Sequence, residues 1–302
     1  DETGEINFAV DAGADESVDP TQNATLTITG TGTGTIGLDV VLTVVATDAT
    51  GGSATSGTDY LAYGPETLTF ATGDGASIVS DTATLDVTSD QRLEGDETVN
   101  LAIGSLSDDL DLQVQINGST HIATITDDDT VAFTFTNPSS SVGEEGMTHD
   151  VEVTATLTAI GSVGNPGLDQ TVSVDVALTG GNASPTDPEA DFTYFTNTLS
   201  FSAADGDGTS FQKDATATIH EDIVVDAAET ISLEIQNLVD GSGTQASIGG
   251  ANTHTVTIGD NDTLDTRVFV ARAGGGDLEA RISTLNLQIL LGGLLASEAP
   301  AA

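Results

Sequence analysis

The side chains in this sequence that could do chemistry are carboxylates, and they collect in loops beside apolar strands. A solvated acidic loop explains any one of these runs taken singly, but separated acidic loops recur at matching positions in both halves of the chain. The first set is Asp59, Asp90, Glu94, Glu97, Asp127, Asp128 and Asp129. The second set is Asp191, Glu221, Asp222, Asp226, Glu229, Asp260 and Asp262, with Asn261 between the last two.

Carboxylates brought together by such loops would repel one another at neutral pH. A hard divalent cation removes that conflict, and Ca²⁺ takes about 6–8 oxygen ligands at about 2.3–2.6 Å. Asn261 keeps a side-chain oxygen and remains an eligible ligand. Convergence of the loops therefore predicts calcium binding, with Ca²⁺ as the cofactor.

The acidic loops recur because the sequence repeats itself once. The aligned blocks are 96–106 with 227–238, 57–63 with 189–195, and 121–130 with 254–263. These blocks predict a domain at residues 1–129 (repeat 1) and a second at 130–265 (repeat 2). Thr130 leads directly into the next strand, so the orientation of the two repeats should be restricted.

Each repeat has the pattern of an all-β domain. Apolar residues alternate with period two in segments separated by clusters of Gly, Asp, Asn and Ser. About seven short strands in roughly 130 residues predict an antiparallel sandwich with Greek-key connections. The clearest strand segments are 6–10, 25–29, 131–135, 151–157 and 172–178, and the clearest turn segments are 72–75, 161–167 and 240–243.

The order "GTDY", "LTF", D-x-x-x-E-x-x-E-T and a closing "ATITDDD" resembles the Calx-beta domain. That family is named after the calcium-sensing modules of sodium–calcium exchangers and is widespread in bacterial surface proteins. The resemblance covers about residues 6–129 and 131–262. It implies two tandem immunoglobulin-like sandwiches, and it implies that both acidic sets and Asn261 bind calcium through loops at one end.

The resemblance also implies a ligand glutamate after the first strand of each domain. Glu144 or Glu145 fits this position in repeat 2, whereas Glu16 or Asp19 is a rough match in repeat 1. Repeat 2 departs from repeat 1 in two further places, with Asp226 at the position of Glu94 and Asn261 at that of Asp128. Its site should therefore be weaker or differently occupied.

Two other signals have simpler explanations. His121 and His254 begin equivalent strands on the face of the apolar residues, which predicts a packing role. The segment "DGDGT" (205–209) starts like an EF-hand loop, but no glutamate follows at the twelfth position. A tight turn is the better interpretation.

Residues 266–302, the tail, differ from the repeats in charge. They contain three arginines and three acidic residues, so the repeats carry the whole formal charge of −43. "RVFVA" (267–271) has the pattern of a strand. The segment 278–291 fits both a strand and a helix, and strand is favoured. An apolar strand without a third repeat to join predicts an intersubunit connection.

Composition excludes several classes of function. With 48 acidic and 5 basic residues, the chain should not bind nucleic acid or anionic membranes. No apolar run approaches the ~20 residues that span a bilayer, so membrane insertion is not expected. A chain without cysteine or tryptophan, nucleophile elbow or phosphate-binding loop is not expected to be an enzyme. Zero cysteine with abundant Gly, Thr and Asp favours a secreted protein at the cell surface.

The expected function is that of an extracellular structural or adhesive protein whose tandem sandwiches are rigidified by calcium. Its expected partners are copies of itself in a head-to-tail polymer, joined through the tail, or other surface components. An alternative is a calcium-dependent carbohydrate- or protein-binding module of a surface adhesin. A calcium sensor with a variable interdomain angle is a third hypothesis.

Overall fold

The computed structural model describes residues 2–8, 13–107, 113–118, 120–186 and 190–263. The strands of repeat 1 are β1 (Glu2–Phe8), β2 (Gly13–Asp15), β3 (Thr21–Gln22), β4 (Ala24–Gly30), β5 (Gly37–Leu38), β6 (Leu42–Ala49), β7 (Glu66–Phe70), β8 (Gly73–Asp74), β9 (Ser77–Val79), β10 (Ala83–Thr84), β11 (Arg92–Leu93), β12 (Glu97–Ser107), β13 (Val114–Ile116) and β14 (Thr120–Thr126). The predicted tail structure lies outside the described residues.

The main strands of repeat 2 follow in the same order as those of repeat 1, and one short 3-10 helix lies at Ala203–Asp205. Its strands are β15 (Thr130–Phe135), β16 (Ser139–Gly143), β17 (Thr148–Thr158), β18 (Gly167–Leu168), β19 (Val172–Gly181), β20 (Phe192–Thr193), β21 (Asn197–Phe201), β22 (Ser210–Ile219), β23 (Glu229–Asp240), β24 (Ala246–Ile248) and β25 (Thr253–Gly259). Among the described residues no helix is long or apolar enough to cross a membrane.

Each repeat folds as a sandwich of two main sheets. Repeat 1 has the orders β13-β1-β4-β9 and β2-β14-β12-β6-β7, and repeat 2 has β20-β22-β17-β15-β24 and β16-β25-β23-β19-β21. Buried side chains of both sheets meet in one core, as Leu26 and Leu101 do in repeat 1 and Phe133 and Leu233 in repeat 2. The prediction of an all-β fold with tandem immunoglobulin-like sandwiches is confirmed, although the predicted division of the chain at residue 130 stays a prediction.

The sequence pattern predicted antiparallel sheets, but the sheets also contain parallel pairs. The first strand of each repeat divides between the two sheets, and each part pairs in parallel with a late strand. In repeat 1, β1 pairs with β13 and β2 with β14; in repeat 2, β15 pairs with β24 and β16 with β25. Side chains alternate with period two in both kinds of pairing, so the sequence pattern could not distinguish them.

The connections between strands lie at two opposite ends of each sandwich. In repeat 1 the loops β4–β6, β7–β9 and β12–β14 lie at one end, which we call the head. The loops β6–β7 and β10–β12 and the residues after β14 lie at the other, which we call the site end because it contains the acidic residues. The matching connections divide repeat 2 in the same way.

The site end of repeat 1 contacts the head of repeat 2 through a two-residue strand. β11 pairs in parallel with β18, with Arg92 opposite Gly167 and Leu93 opposite Leu168. Leu93 is fully buried and belongs to the core of repeat 2. Gly161 of repeat 2 also approaches closely, since a Cβ there would lie 2.0 Å from the carbonyl oxygen of Asp90.

Arg92 adds charged hydrogen bonds to this junction. Its Nε donates to Asp169 over 2.7 Å and its Nη1 donates to Asp207 over 3.1 Å. The bond from Arg92 holds the pKa of Asp169 below its ordinary value, and hydrogen bonds from Asn165 and Arg92 do the same to the pKa of Asp207. A guanidinium shared by two carboxylates is a directional contact, so the two repeats meet in a defined register.

We predict that Leu93→Ala destabilises repeat 2, although Leu93 belongs to the sequence of repeat 1. Loss of a buried leucine leaves a cavity and costs about 2–5 kcal/mol. Leu61→Ala is the control, since Leu61 is 60% exposed and its loss should cost no more than about 0.5 kcal/mol. Denaturant unfolding measures both variants, and equal small effects would contradict the placement of Leu93.

Candidate metal centres

The first candidate centre lies at the site end of repeat 1. One carboxylate oxygen from each of Asp59, Glu94 and Glu97 lies within 4.8 Å of the others. Asp59 comes from the β6–β7 loop, Glu94 follows β11, and Glu97 begins β12. Two separate segments, the β6–β7 loop and residues 94–97, therefore bring carboxylates to one point.

The residues after β14 hold the loop between β11 and β12 in place. Asp127 accepts hydrogen bonds from the backbone N–H groups of Glu94 at 2.8 Å and Gly95 at 2.7 Å. Asp129 is fully buried, and its Oδ1 accepts a hydrogen bond from Ile160 N of repeat 2 at 2.6 Å. Its Oδ2 is buried and accepts none from any described residue. An orphaned carboxylate oxygen is the kind of atom that a cation would bind.

Glu16 is a member of this centre that the sequence identified only as a rough match. It is 7% exposed, and its Oε2 is buried with no hydrogen-bond partner among the described residues. Burial, with Asp127 and Asp90 nearby, raises the pKa of Glu16 to about 8. The alternative, Asp19, is exposed and accepts a hydrogen bond from Val87 N at 2.8 Å, so its carboxylate binds the backbone of the segment after β10.

The carboxyl groups of the first centre resist ionisation in this fold. Burial followed by like charges raises the pKa of Glu94 to about 9. Burial and a hydrogen bond to Asp59 raise the pKa of Glu97 to about 7, and burial raises that of Asp129 to about 6. Burial also raises the pKa values of Asp90 and Asp128. A bound cation would neutralise the like charges and offset the cost of burying ionised carboxylates.

The second candidate centre is the equivalent end of repeat 2. Carboxylate oxygens of Glu144, Asp260 and Asp262 lie within 4.8 Å of one another. Glu144 is buried, and burial beside Asp222 and Asp260 raises its pKa to about 7. Glu144 Oε2 and Asp262 Oδ2 are buried without a hydrogen-bond partner in the described part of the chain. This donor set again consists of oxygen atoms that suit a hard cation.

Other predicted residues of repeat 2 lie around this cluster. Asp191 is buried and accepts a hydrogen bond from Ser184 N. Burial and a hydrogen bond to Asp191 raise the pKa of Glu229 to about 7. Asp222 accepts a hydrogen bond from Val224 N at 2.7 Å. Asp191 and Glu229 correspond to Asp59 and Glu97, which form part of the first cluster, so the two repeats bring different members of the same acidic set within 4.8 Å.

The remaining predicted residues of repeat 2 are more exposed. Asp226, Glu221 and Glu145 are all exposed, so of the two candidate glutamates Glu144, and not Glu145, lies in the cluster. Asn261 donates hydrogen bonds from its side-chain amide to Glu144 O at 2.8 Å and Glu221 Oε2 at 3.3 Å. Metal binding by any of the predicted residues stays a prediction.

The histidines and the "DGDGT" segment have the structural roles expected of them. His121 and His254 are buried, and their rings lie 4.9 Å from Phe8 and 5.3 Å from Phe135. Asp205 completes a capping box with Ser202 on the short helix. The turn that follows brings the carboxylate of Asp207 within hydrogen-bonding distance of Arg92. The sequence analysis did not predict this contact.

A family model described as the Calx-beta domain matches residues 1–129 and 126–262. The chain belongs to the Calx-beta domain family. Calx-beta domains are calcium-binding modules. The comparison with curated proteins gives no match.

Solved structures with similarity to this chain include other Calx-beta proteins. CBD12 from CALX1.2 is 15% identical, with a TM-score of 0.33, 84% of this chain covered and 99% of that chain. The calcium binding domain CBD12 of CALX1.1 is 15% identical, with a TM-score of 0.33 and coverages of 83% and 98%. The apo-form Calx CBD1 domain is 17% identical, with a TM-score of 0.32 and coverages of 44% and 99%.

We predict that the metal-free protein loses stability as pH rises from about 5 to 9. Glu16 and Glu94 have folded-state pKa values of about 8 and 9, against an ordinary value of 4.5. The folded state therefore binds more protons than the unfolded state across this pH window. The contribution of these protons to the free energy of unfolding is lost as the pH rises. Denaturant unfolding of chelator-treated protein at several pH values measures the slope.

Glu94→Gln supplies the control for this prediction. The neutral amide removes the most strongly shifted group at nearly constant shape, so the decline with pH should become shallower. Stability that instead rises from pH 5 to 9 in both proteins would contradict the raised pKa values.

Proposed function

We propose that this chain is an extracellular calcium-binding structural protein in which an ion in the first centre locks the two sandwiches together. The observation that carries the proposal is the double use of one loop of repeat 1. Glu94 and Glu97 belong to the candidate centre, and the charge of Asp90 acts on both of them. Arg92 and Leu93, which lie between Asp90 and Glu94 in the sequence, bind repeat 2. An ion that holds the loop also holds the junction.

The charges at the junction support this coupling. Asp169 of repeat 2 pairs with Arg92 and is also hydrogen-bonded to Glu94. Without a cation, ionised Glu94 would face Asp169 across the junction and repel it. With calcium on Glu94 the repulsion is removed, so calcium binding and docking favour each other. Such coupling is reciprocal, because docking must then raise calcium affinity by the same factor.

The chemistry of the centres supports the proposed extracellular setting. Both clusters are assembled from separate loops and retain repulsion, which suits weak sites. Extracellular calcium modules bind with Kd values of about 0.1–1 mM. A chain without cysteine that bears a formal charge of −43 would gain most of its rigidity where calcium is abundant.

The tail extends the proposal from a single chain to an assembly. Residues 266–302 are neutral, contain strand-like apolar segments, and follow a body that carries the whole negative charge. We assign the tail the role of connector to a neighbouring copy, in an extracellular filament or matrix. Calcium would assist by screening the repulsion between adjoining bodies.

We predict that calcium narrows the distribution of distances between the two repeats. Because the chain has no cysteine, spin labels can be placed uniquely at Val79→Cys and Val239→Cys, whose side chains are 56% and 63% exposed. Pulsed electron paramagnetic resonance should give a broad distance distribution in chelator and a narrow one in millimolar calcium. Equal widths in the two conditions would refute the lock.

Glu97→Gln and Glu145→Gln provide a matched pair of variants for this experiment. Glu97 is in the first centre, and Glu145 is exposed outside both clusters. The first variant should keep the broad distance distribution in calcium, and the second should behave as the parent does.

Thermal melts test calcium binding itself. At a free calcium concentration of 100 times Kd, each site adds about 2.7 kcal/mol to the free energy of unfolding. Coincident melts in chelator and calcium would reject calcium binding.

We also predict that a chain ending at Asp265 stays monomeric at every calcium concentration at which the full chain assembles. The truncation leaves both sandwiches complete and removes only the proposed connector. Light scattering on the two chains, matched in concentration, measures assembly. Assembly of the shortened chain to the same extent would show that the tail is not the connector.

A further inference from the structure

The head of repeat 2 has a seat for an arginine followed by an apolar residue. The seat consists of Leu168, Asp169, Asp207 and Gln245. Leu168 packs with Leu93, and the two aspartates bind the guanidinium of Arg92. Gln245 Nε2 donates hydrogen bonds to Asp96 Oδ1 at 3.1 Å and to Asp127 O at 3.4 Å.

Every member of this seat has a counterpart at the head of repeat 1. The sequence Gly-Leu-Asp occurs at 37–39 and 167–169, and Gly-Asp-Gly occurs at 73–75 and 206–208. The two segments are joined by the same backbone bond in each repeat, from Gly75 N to Ile36 O and from Gly208 N to Pro166 O. Leu38, Asp39 and Asp74 therefore match Leu168, Asp169 and Asp207.

Strand register gives the fourth counterpart. β1 pairs Gly4 with Val114, and β15 pairs Val131 with Ala246. The residue before Val114 is Gln113, and the residue before Ala246 is Gln245. The head of repeat 1 thus carries the same four side-chain types with which the head of repeat 2 contacts the site end of repeat 1.

The counterpart seat borders an open groove. The groove has a volume of about 250 Å³, and its lining includes Leu26, Ile28, Leu38, Asp39, Gln113 and Val114. Asp39 and Asp74 are both exposed. The basic side chains in the described part of the chain are Arg92 and Lys213, and both bind acidic residues of repeat 2. An acidic pair beside an apolar groove is complementary to an arginine with an apolar neighbour.

The tail contains a segment with this chemistry. Arg267 and Val268 open the strand-like "RVFVA", as Arg92 and Leu93 form β11. The tail lies outside the described residues. Arg267 is four residues beyond Thr263, a reach of at most about 14 Å. The head of repeat 1 lies beyond the whole of repeat 1, whose 11-residue strand β12 spans about 36 Å. The occupant must come from another molecule.

We propose that the head of repeat 1 is the docking seat for Arg267–Val268 of a second copy of this chain. This inference rests on the proposed role of the tail as connector and names its receiving surface. Arg267 binds Asp39 and Asp74, and Val268 packs beside Leu38. The contact joins two different surfaces, so it repeats from copy to copy in one direction.

A labelled peptide of residues 264–273 tests the seat directly. Fluorescence anisotropy measures its binding to the full chain in millimolar calcium, at concentrations below those at which light scattering detects assembly. The Asp39→Asn/Asp74→Asn protein should bind it at least about tenfold more weakly, because charged bidentate contacts are lost. The control protein, Glu66→Gln/Asp86→Asn, loses two exposed carboxylates elsewhere in repeat 1 and should bind as the parent does.

A peptide with Arg267→Gln keeps the test independent of any effect on folding. It should bind the parent protein at least about tenfold more weakly than the unchanged peptide. Equal binding of both peptides, or of the unchanged peptide to all three proteins, overturns the seat. If truncation at Asp265 abolishes assembly while Asp39→Asn/Asp74→Asn leaves it intact, the tail is the connector but this seat is wrong.

Discussion

Three carboxyl oxygens, drawn from two segments of each repeat, lie within 4.8 Å of one another, and a partly buried site cannot hold them all as anions. Either protons or a cation must reduce the charge. Without metal, the fold retains protons, as the pKa of about 9 for Glu94 reflects. A cation would release those protons, so the geometry of the loops, the pH dependence and the affinity for calcium are aspects of one electrostatic balance.

The same electrostatic balance affects the junction between the repeats because the loop from Asp90 to Glu97 contacts both the first centre and repeat 2. Its carboxylates turn to the first centre, while Arg92 and Leu93 turn to repeat 2. Asp129 makes a comparable link, since it lies among the carboxylates and accepts a hydrogen bond from Ile160 of repeat 2. The second centre has no following domain among the described residues, so the two centres have the same origin but different surroundings.

Much of this structure follows from sequence periodicity and internal repetition. Alternating apolar residues locate the strands, and the aligned blocks locate Asp59 and the acidic run at Asp127. Other features depend on tertiary placement. The choice of Glu144 over Glu145 depends on which side chain faces inward, and the entry of Leu93 into a neighbouring core has no local signature. The parallel pairing of β1 with β13 is likewise invisible in a pattern that is identical for both strand directions.

The lengths of the outermost strands have a consequence for how such molecules can meet. Several sheet edges are formed by strands of two or three residues, including β2, β9, β13, β20 and β24. Short edges offer few backbone groups to an approaching chain and discourage sideways pairing into ribbons or amyloid-like stacks. The formal charge of −43 also makes copies of the chain repel one another. In an assembly of the proposed kind, sideways growth would therefore be suppressed and contact between the ends of the molecules favoured.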